Sequence, residues 1–550
     1  MRECGIVAPT RNVKLRLVAC DPDVDVTPAL LAAARQLDVR RTLSTAAVRD
    51  QSLLLLTVSE TQRLPEAATP AAMLYPPSAL CEARVWKRIQ FRSDSSLPPF
   101  ACFRPPVKPP YALPAALMSP VFSTFLRTAA ADLHEPGDCA AESAAVVRLV
   151  TLMPDVFDTE VARGHAFRGA LREFLRLDLQ PTQPDPDSSV CTYGSCVHSI
   201  AEARALLALE VDKLEFGTGD PYFQGQAYYY RYWHSAEDFA ADAPFSGDFR
   251  PALMLEVVGP LLRVSALASM PDGRVICEPL TPFLHLFAVS GQAEYMGRLV
   301  AVLRAVREAV SGLRTHYDNV AAAAAAAIAA GGVPPRGLLP PPPAAPYPLR
   351  DASRFSDVHA LAPGKLLYEA TWWPHGRGDA PMRVCVKFTQ AYGADVHARW
   401  ASASLAPALH ACEPLDGGPW CMVIMELMSP PWCTLAALPP QERAAARAVA
   451  LQALAAAHAL ELPGGCGRAA HGDCRGVNVL VARPVAAPPD GPPAPDAWFV
   501  RFLDFDWAGA ADGVAVYPPL MSTAVPWAPD ARPGLPLRQA HDVYLLSTEA

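Results

Sequence analysis

None of the 14 cysteines in this 550-residue sequence stands in a C-x-x-C pair, which excludes the usual paired-cysteine zinc and redox motifs. Several lie inside apolar runs instead, as in Val384-Cys385-Val386 and Trp420-Cys421-Met422; buried free thiols of a reducing compartment are expected. No stretch has the length and purity of a membrane span, the Ala321–Ala330 run being short and alanine-rich. Met1 to Cys20 mixes Arg, Glu and Lys with short apolar stretches and lacks the apolar segment of a signal peptide. An intracellular protein, nuclear or cytoplasmic and without a membrane partner, is the expectation. Excess positive charge is also missing: the formal net charge is −8, so binding nucleic acid would require a local basic groove. No internal repeat of fixed period is present.

What is present suffices for several cores. Hydrophobic residues make up 51% and charged residues 19% of the sequence, although the first figure is inflated by alanine and accompanied by 58 prolines. A chain of this length exceeds what one core usually supports. The clearest boundary is residues 331–348, G-G-V-P-P-R-G-L-L-P-P-P-P-A-A-P-Y-P, whose prolines favour extended geometry and cannot sustain a helix. Before it, Met296, Leu299, Val300, Leu303, Val306, Val310 and Leu313 recur at helical spacing and predict a long helix over 295–330, stopped by a Gly pair. A smaller Pro-rich stretch, 97–114, sets off residues 1–100, in which Val13 to Leu17 alternates like an edge strand and Ser52 to Val58 reads as a buried one. Between the linkers, residues 143–177 predict two helices broken near Pro154, 203–215 a strand, and 252–282 strands around the Pro271-Asp272-Gly273 turn. The pattern predicts an α+β multidomain chain.

After the linker, Arg383-Val384-Cys385-Val386-Lys387-Phe388 alternates apolar residues around one cation, as a buried strand does when it projects a lysine into a cleft. A strand lysine alone is usually a surface residue with a buried stem. Trp420 to Leu427 predicts a core strand ending near Glu426. The sharper signal is His471-Gly472-Asp473-Cys474-Arg475-Gly476-Val477-Asn478. It matches a loop in which one acid orients or deprotonates an acceptor hydroxyl, while an amide five residues on turns back to a phosphate-bound metal. Asp504, following the apolar Val500 to Leu503, fits the second metal-binding acid, with Asp506 where glycine is usual.

The loop resembles the H-R-D-x-x-x-x-N catalytic loop of protein kinases in its H-G-D form. Val386-Lys387-Phe388, Tyr392-Gly393, His397, Leu405-Ala406-Pro407, Asp504-Phe505-Asp506-Trp507-Ala508-Gly509, Tyr517-Pro518-Pro519, Trp527 and His541-Asp542 together resemble the fungal-type, Crinkler-associated kinase family from about Asp351 onward. The resemblance implies a two-lobed protein-kinase-like domain over 350–550 with a reduced C-terminal lobe, binding ATP and Mg²⁺. It implies Lys387 and Asp473 as catalytic residues, with Lys387, Glu426, Asn478 and Asp504 around the nucleotide and Asn478 and Asp504 on the metal. His471 and Asp542 would position the loop. No G-x-G-x-x-G precedes Lys387, where only Gly364 and the Gly376/Gly378 pair are available. No carboxylate besides Asp395 lies in 392–400 to pair with Lys387, whose partner stays open, and no A-P-E follows Asp504.

In the middle, Glu210-Val211-Asp212-Lys213, Gly219-Asp220-Pro221 and Gln224 resemble the PD-(D/E)xK restriction-endonuclease-like α/β domain joined to Crinkler kinases, assigned here to residues 115–330. Asp187, Glu210, Asp212, Lys213 and Gln224 are its candidate site, and nucleic acid its implied partner. A metal-dependent nuclease holds Mg²⁺ on two or more carboxylates beside a lysine. Here Val211 occupies the position two before Lys213, so Glu210 or Asp212 could serve only if the strand bulged. The alternative is a set of charges on a solvated strand edge. The expectation is therefore an ATP-dependent phosphotransferase with a hydroxyl acceptor, of Ser/Thr type on a protein, in a Crinkler-like effector or toxin architecture. The family implies nuclear action in a target cell. A DNA nuclease regulated by a kinase-like domain and a non-catalytic pseudokinase scaffold are the competing readings.

Overall fold

The computed structural model describes residues 14–20, 35–37 and 53–59 and, from 77 onward, all but 78, 91–99, 103–112, 132–138, 183–192, 201–202, 216–218, 235–248, 270–273, 289–292, 331–344, 363–364, 484–497, 514 and 549–550. Two compact units result, Met1–Leu74 and Tyr75–Ala550. In the first, β1 (Lys14–Cys20) lies between β2 (Arg35–Leu37) and β3 (Leu53–Ser59), antiparallel to both. The segment expected at a sheet edge is thus the central strand; alternation identifies a strand's faces but not how many neighbours it has.

The second unit opens with α1 (Ala83–Gln90) and β4 (Phe100–Ala101), so the first Pro-rich stretch contributes a strand as well as a boundary. The helices α2 (Ala115–Met118), α3 (Pro120–Ala130), α4 (Ala140–Leu152) and α5 (Glu160–Leu175) follow. Thr159 caps α5, its hydroxyl accepting from Ala162 N at 3.1 Å. Next come β5 (Gln180–Thr182), β6 (Tyr193–Ile200), β7 (Ala203–Lys213), α6 (Pro221–His234), β8 (Ala252–Val258), β9 (Leu261–Ser269), β10 (Val275–Pro279), β11 (Leu284–His285) and α7 (Ala293–Ala329). Their mixed sheet runs β4-β10-β9-β8-β7-β6-β5, with β11 added on β9. Among the described residues only its β7/β8 and β4/β10 pairs are parallel. Buried on both faces over Ala205–Val211, β7 reads as a nearly continuous apolar run because helices cover both sides of it.

The second sheet contains β12 (Phe355–Ala360), β13 (Leu367–Trp372), β14 (Met382–Thr389), β15 (Leu409–Pro414) and β16 (Cys421–Glu426). It is antiparallel in the order β12-β13-β14-β16-β15, and α8 (Ala394–Ser402) lies between β14 and β15 in the chain. The remainder is built on α9 (Pro440–His458) and α10 (Gln539–Thr548), the short strand set β17 (Cys433–Thr434), β19 (Val479–Ala482) and β20 (Phe499–Phe502), and the pair β18 (Ala469–Ala470) with β21 (Gly509–Ala510). A further Pro-rich stretch, residues 483–495, connects the paired strands β19 and β20 in the chain.

The two sheets share a core. Val384, Val386 and Phe388 of β14 and Ile424 of β16 pack in one cluster with Leu117, Met118, Phe249, Ala268 and Ile276 from the first sheet and its helices. Ser123 Oγ donates to Leu415 O at 3.1 Å and Arg127 Nη1 to Asp416 O at 2.8 Å across the same junction. Ala345 and Leu349 are buried in that cluster, so the end of the proline linker docks rather than dangling. Removing such side chains from water supplies about 1.5–3 kcal/mol each, which is why Tyr75–Ala550 holds together as one unit.

Candidate active site

Period-two alternation along β14 separates support from chemistry. With Val384, Val386 and Phe388 turned into the shared core, Cys385 belongs to the cluster on the opposite face, and Lys387 projects on that side. Its Nζ donates to Asp504 Oδ1 and, at 2.7 Å, to Asp506 Oδ1. Tyr392 presents its ring 6.0 Å from the same nitrogen. Burial opposes the charge on Lys387, yet the two carboxylates outweigh it and hold the ammonium above its ordinary value. Burial likewise opposes ionisation of Asp504, but Lys387, His471 and Lys365 overcome it and keep this acid below the usual range. Asp506 is pushed up by burial, partly countered by Lys387, with Asp504 adding to the rise. Asp504 takes the left-handed conformation with φ +68°, a strained state for a residue with a side chain and one that concentrates at functional sites.

The H-G-D loop lies against this cluster. His471 Nε2 donates to Leu503 O at 2.8 Å while its Nδ1 accepts from Asp473 N at 3.3 Å, so the ring proton is on Nε2. Asp542, fully buried on α10, accepts from His471 N at 2.7 Å, Gly472 N at 2.8 Å and His458 Nε2 at 3.0 Å. Asn478 Nδ2 donates to the backbone and side-chain oxygens of Asp473, both at 2.9 Å. Leu503 N donates to Asn478 O at 2.8 Å, joining the loop to the residue before Asp504. Gly472 has φ +83°, and a Cβ there would lie 3.1 Å from Trp507 Cβ, so conformation and space both call for glycine. Arg475 grips Asp473 with two charge-assisted bonds, Nε to Oδ1 at 2.6 Å and Nη2 to Oδ2 at 2.7 Å.

The helix α8 brings a neutral imidazole to the cluster. His397 Nε2 donates to Pro407 O at 2.8 Å, Nδ1 accepts from Tyr392 Oη at 2.6 Å, and the ring stacks on Phe505 with centroids 4.5 Å apart and planes 5° apart. Burial lowers its pKa to about 4. Lys387 and Asp504 are thus in direct contact, and the loop carrying Asp473 and Asn478 is joined to them through the backbone of Leu503, the residue before Asp504. Glu426 ends β16 with its carboxylate accepting from Ala408 N at 3.0 Å. Gly376 and Gly378 fall in the β13–β14 connection, where Arg377 stacks over Trp373 at 3.6 Å, and Gly364 lies outside the described residues. Lys365, beside Gly364 on the β12–β13 turn, instead adds positive potential at Asp504.

Asp506, Arg475 and Lys365 were given no role by sequence reasoning. Two signals were available: Asp506 is spaced i+2 from Asp504, and Arg475 i+2 from Asp473. Among the described residues no group of three or more His, Cys, Asp or Glu side chains is arranged to hold a metal ion. Phosphate-bound Mg²⁺ demands less, taking one or two carboxylates and completing its octahedron with phosphate oxygens and water. For such an ion Asp504 would supply the carboxylate, and Asn478, whose Nδ2 donates to Asp473, would offer Oδ1.

In the middle segment β7 pairs regularly with β8 from Ala208 to Lys213, and the register shift against β6 lies upstream, between Cys196 and Val197. No bulge therefore aligns Glu210 or Asp212 with Lys213. The two acids share the face beneath α5, where a Cβ on Gly164 would lie 2.1 Å from Asp212 Oδ2 and one on Gly194 2.1 Å from Glu210 Oε2. Arg168 fills the space a cation would need, its Nη1 lying 2.6 Å from Glu210 and 3.4 Å from Asp212. Burial raises both carboxyls, Asp212 the further, against the pull of Arg168. Lys213 Nζ reaches Glu160 at 3.4 Å, and Gln224 turns into the core to donate to Tyr228 Oη at 2.6 Å. Asp187 lies outside the described residues. No helix among the described residues is long and apolar enough to cross a membrane. No protein-family model matches the chain, and no curated protein matches it.

Proposed function

We propose that the chain is an ATP-dependent phosphotransferase of protein-kinase-like type, in which residues 350–550 form the catalytic domain and 115–330 a restriction-endonuclease-like domain of a Crinkler-like effector. The observation that carries this is the meeting of Lys387 with Asp504, next to the Asp473–Asn478 loop, from segments more than a hundred residues apart. A strand ammonium neutralises phosphate oxygens, and the loop acid orients an acceptor hydroxyl and takes its proton as the bond to the γ-phosphorus forms and that to the β,γ-bridging oxygen breaks. Mg²⁺, held by Asp504 and Asn478, would neutralise charge on the triphosphate. Asp542 fixes the loop backbone so that Asp473 keeps its aim, and Arg475 holds that carboxylate in one rotamer. The acceptor is a hydroxyl, of Ser/Thr type on a protein.

The doubly gripped Asp473 favours a second reading, a nucleotide-binding scaffold in which Arg475 blocks the acceptor position. Release of labelled phosphate from γ-labelled ATP by the full chain separates the two. Phosphotransfer predicts turnover that falls about 10²–10⁴-fold in Asp473→Asn and likewise in Asp504→Asn. Mg²⁺-dependent ATP binding without any turnover would leave the scaffold. A nuclease centre receives no support from Glu210 and Asp212, because Arg168 is ion-paired with both.

A further inference from the structure

A cation on a strand keeps its aim only if a counter-charge holds it while its other partner is in use. Lys387 has two carboxylate partners, Asp504 and Asp506. Under the phosphotransferase reading, on which the role of Asp506 rests, Asp504 is committed to the metal, so Asp506 alone remains to hold the ammonium. The helix beside the strand offers no substitute. Its one acid, Asp395, is exposed, and the buried residue it turns toward the cluster is His397, whose two nitrogens are spent on Pro407 O and Tyr392 Oη.

The backbone explains how one short segment serves both purposes. Asp504 and Asp506 reach the same nitrogen, while Phe505 between them is buried against His397, 5.6 Å from the Trp400 ring and 5.1 Å from that of His471. Gly393 N, at the start of α8, donates to Phe505 O at 2.8 Å. A Cβ on Gly393 would fall 2.3 Å from Ala508 O, so helix and segment are in direct backbone contact. Helix, segment and lysine therefore form one packed body.

We infer that Asp506 is the positioning residue for Lys387, supplying from the Asp504 segment the carboxylate that α8 lacks, so that the lysine is aimed without any swing of the helix. The test uses the full chain with Asp506→Asn, Asp506→Glu and Asp504→Asn, and two readouts. The first needs no activity: the rate at which limiting acetic anhydride acetylates Lys387, read by mass spectrometry against exposed lysines in the same sample. Loss of a paired carboxylate exposes the free amine, so labelling is expected to rise about tenfold in Asp506→Asn and to return toward wild type in Asp506→Glu. The second is ATP turnover against Mg²⁺ concentration. Asp506→Asn is expected to lower kcat about 10–100-fold with an unchanged half-saturating Mg²⁺ concentration, whereas Asp504→Asn raises that concentration. The inference is overturned if Lys387 labelling does not change in Asp506→Asn, or if that variant shifts the Mg²⁺ requirement as Asp504→Asn does, which would make Asp506 a metal ligand. Faster labelling together with a wild-type chain that neither binds nor turns over ATP would leave the Lys387–Asp506 pair intact and sink the phosphotransferase reading instead.

Discussion

Replacing Asp542 by Asn tests whether this buried acid braces the H-G-D loop. The side chain is fully buried and accepts three hydrogen bonds, from His471 N, Gly472 N and His458 Nε2. Asn is nearly isosteric, so cavity effects drop out and only hydrogen bonding changes. Its Oδ1 can replace one carboxylate oxygen, but its amide nitrogen brings a donor to where the other accepted. If Oδ1 keeps the two contacts of Asp542 Oδ2, Gly472 N is orphaned, which costs about 1–3 kcal/mol, and the remaining bonds lose their charge assistance, about 1 kcal/mol more each. A loss of about 3–5 kcal/mol is expected in urea unfolding of the full chain, followed by tryptophan fluorescence. Turnover is expected to fall with it because Asp473 loses its support. A variant as stable as wild type to within about 0.5 kcal/mol would refute the bracing role. Unchanged stability with abolished turnover would recast Asp542 as a reactant.

His397 should write a pH signature on stability. Its folded-state pKa of about 4 lies below the ordinary 6.5, so the unfolded chain takes up a proton first, and this contribution is full above pH 6.5 and lost as pH falls toward 4. The gap corresponds to about 3 kcal/mol; denaturant titrations from pH 7 to 4 should show His397→Gln with a flatter decline than wild type, and parallel declines would contradict the burial. Arg168→Met leaves Glu210 and Asp212 without their cation and should cost about 3–5 kcal/mol at pH 8. Burial raises both carboxyls, so they take up protons on acidification and the loss shrinks. Urea midpoints at pH 8 and pH 5 check this, and an equal loss at both would mean the acids are not ionised in the native state.

Local features were legible in the sequence because consecutive residues encode them. The H-G-D loop is eight adjacent residues, and the helix predicted over 295–330 was found at Ala293–Ala329 because an apolar stripe repeats from Met296 to Leu313 and an alanine run continues it. The partner of Lys387 was not legible. It depends on a left-handed turn at Asp504 that places Asp506 beside a strand 119 positions away in the chain, and a positive φ on aspartate leaves no compositional mark. The middle segment shows the reverse case. Alternation correctly separated Lys213 from Glu210 and Asp212, but only the packing of α5 shows Arg168 closing over the two acids.

The proline linker shows most clearly where composition stops informing. Residues 331–348 read as a boundary between independent bodies, and the alternation of β14 marked Val384, Val386 and Phe388 as buried without saying against what. They are buried against Leu117, Met118, Phe249 and Ile276, so the strand that aims Lys387 on one face is held on the other by the middle segment. Packing of this density transmits displacement instead of absorbing it. On the phosphotransferase reading the aim of Lys387 must hold to within about an ångström, and the strand that carries it draws part of its rigidity from its packing against the middle segment.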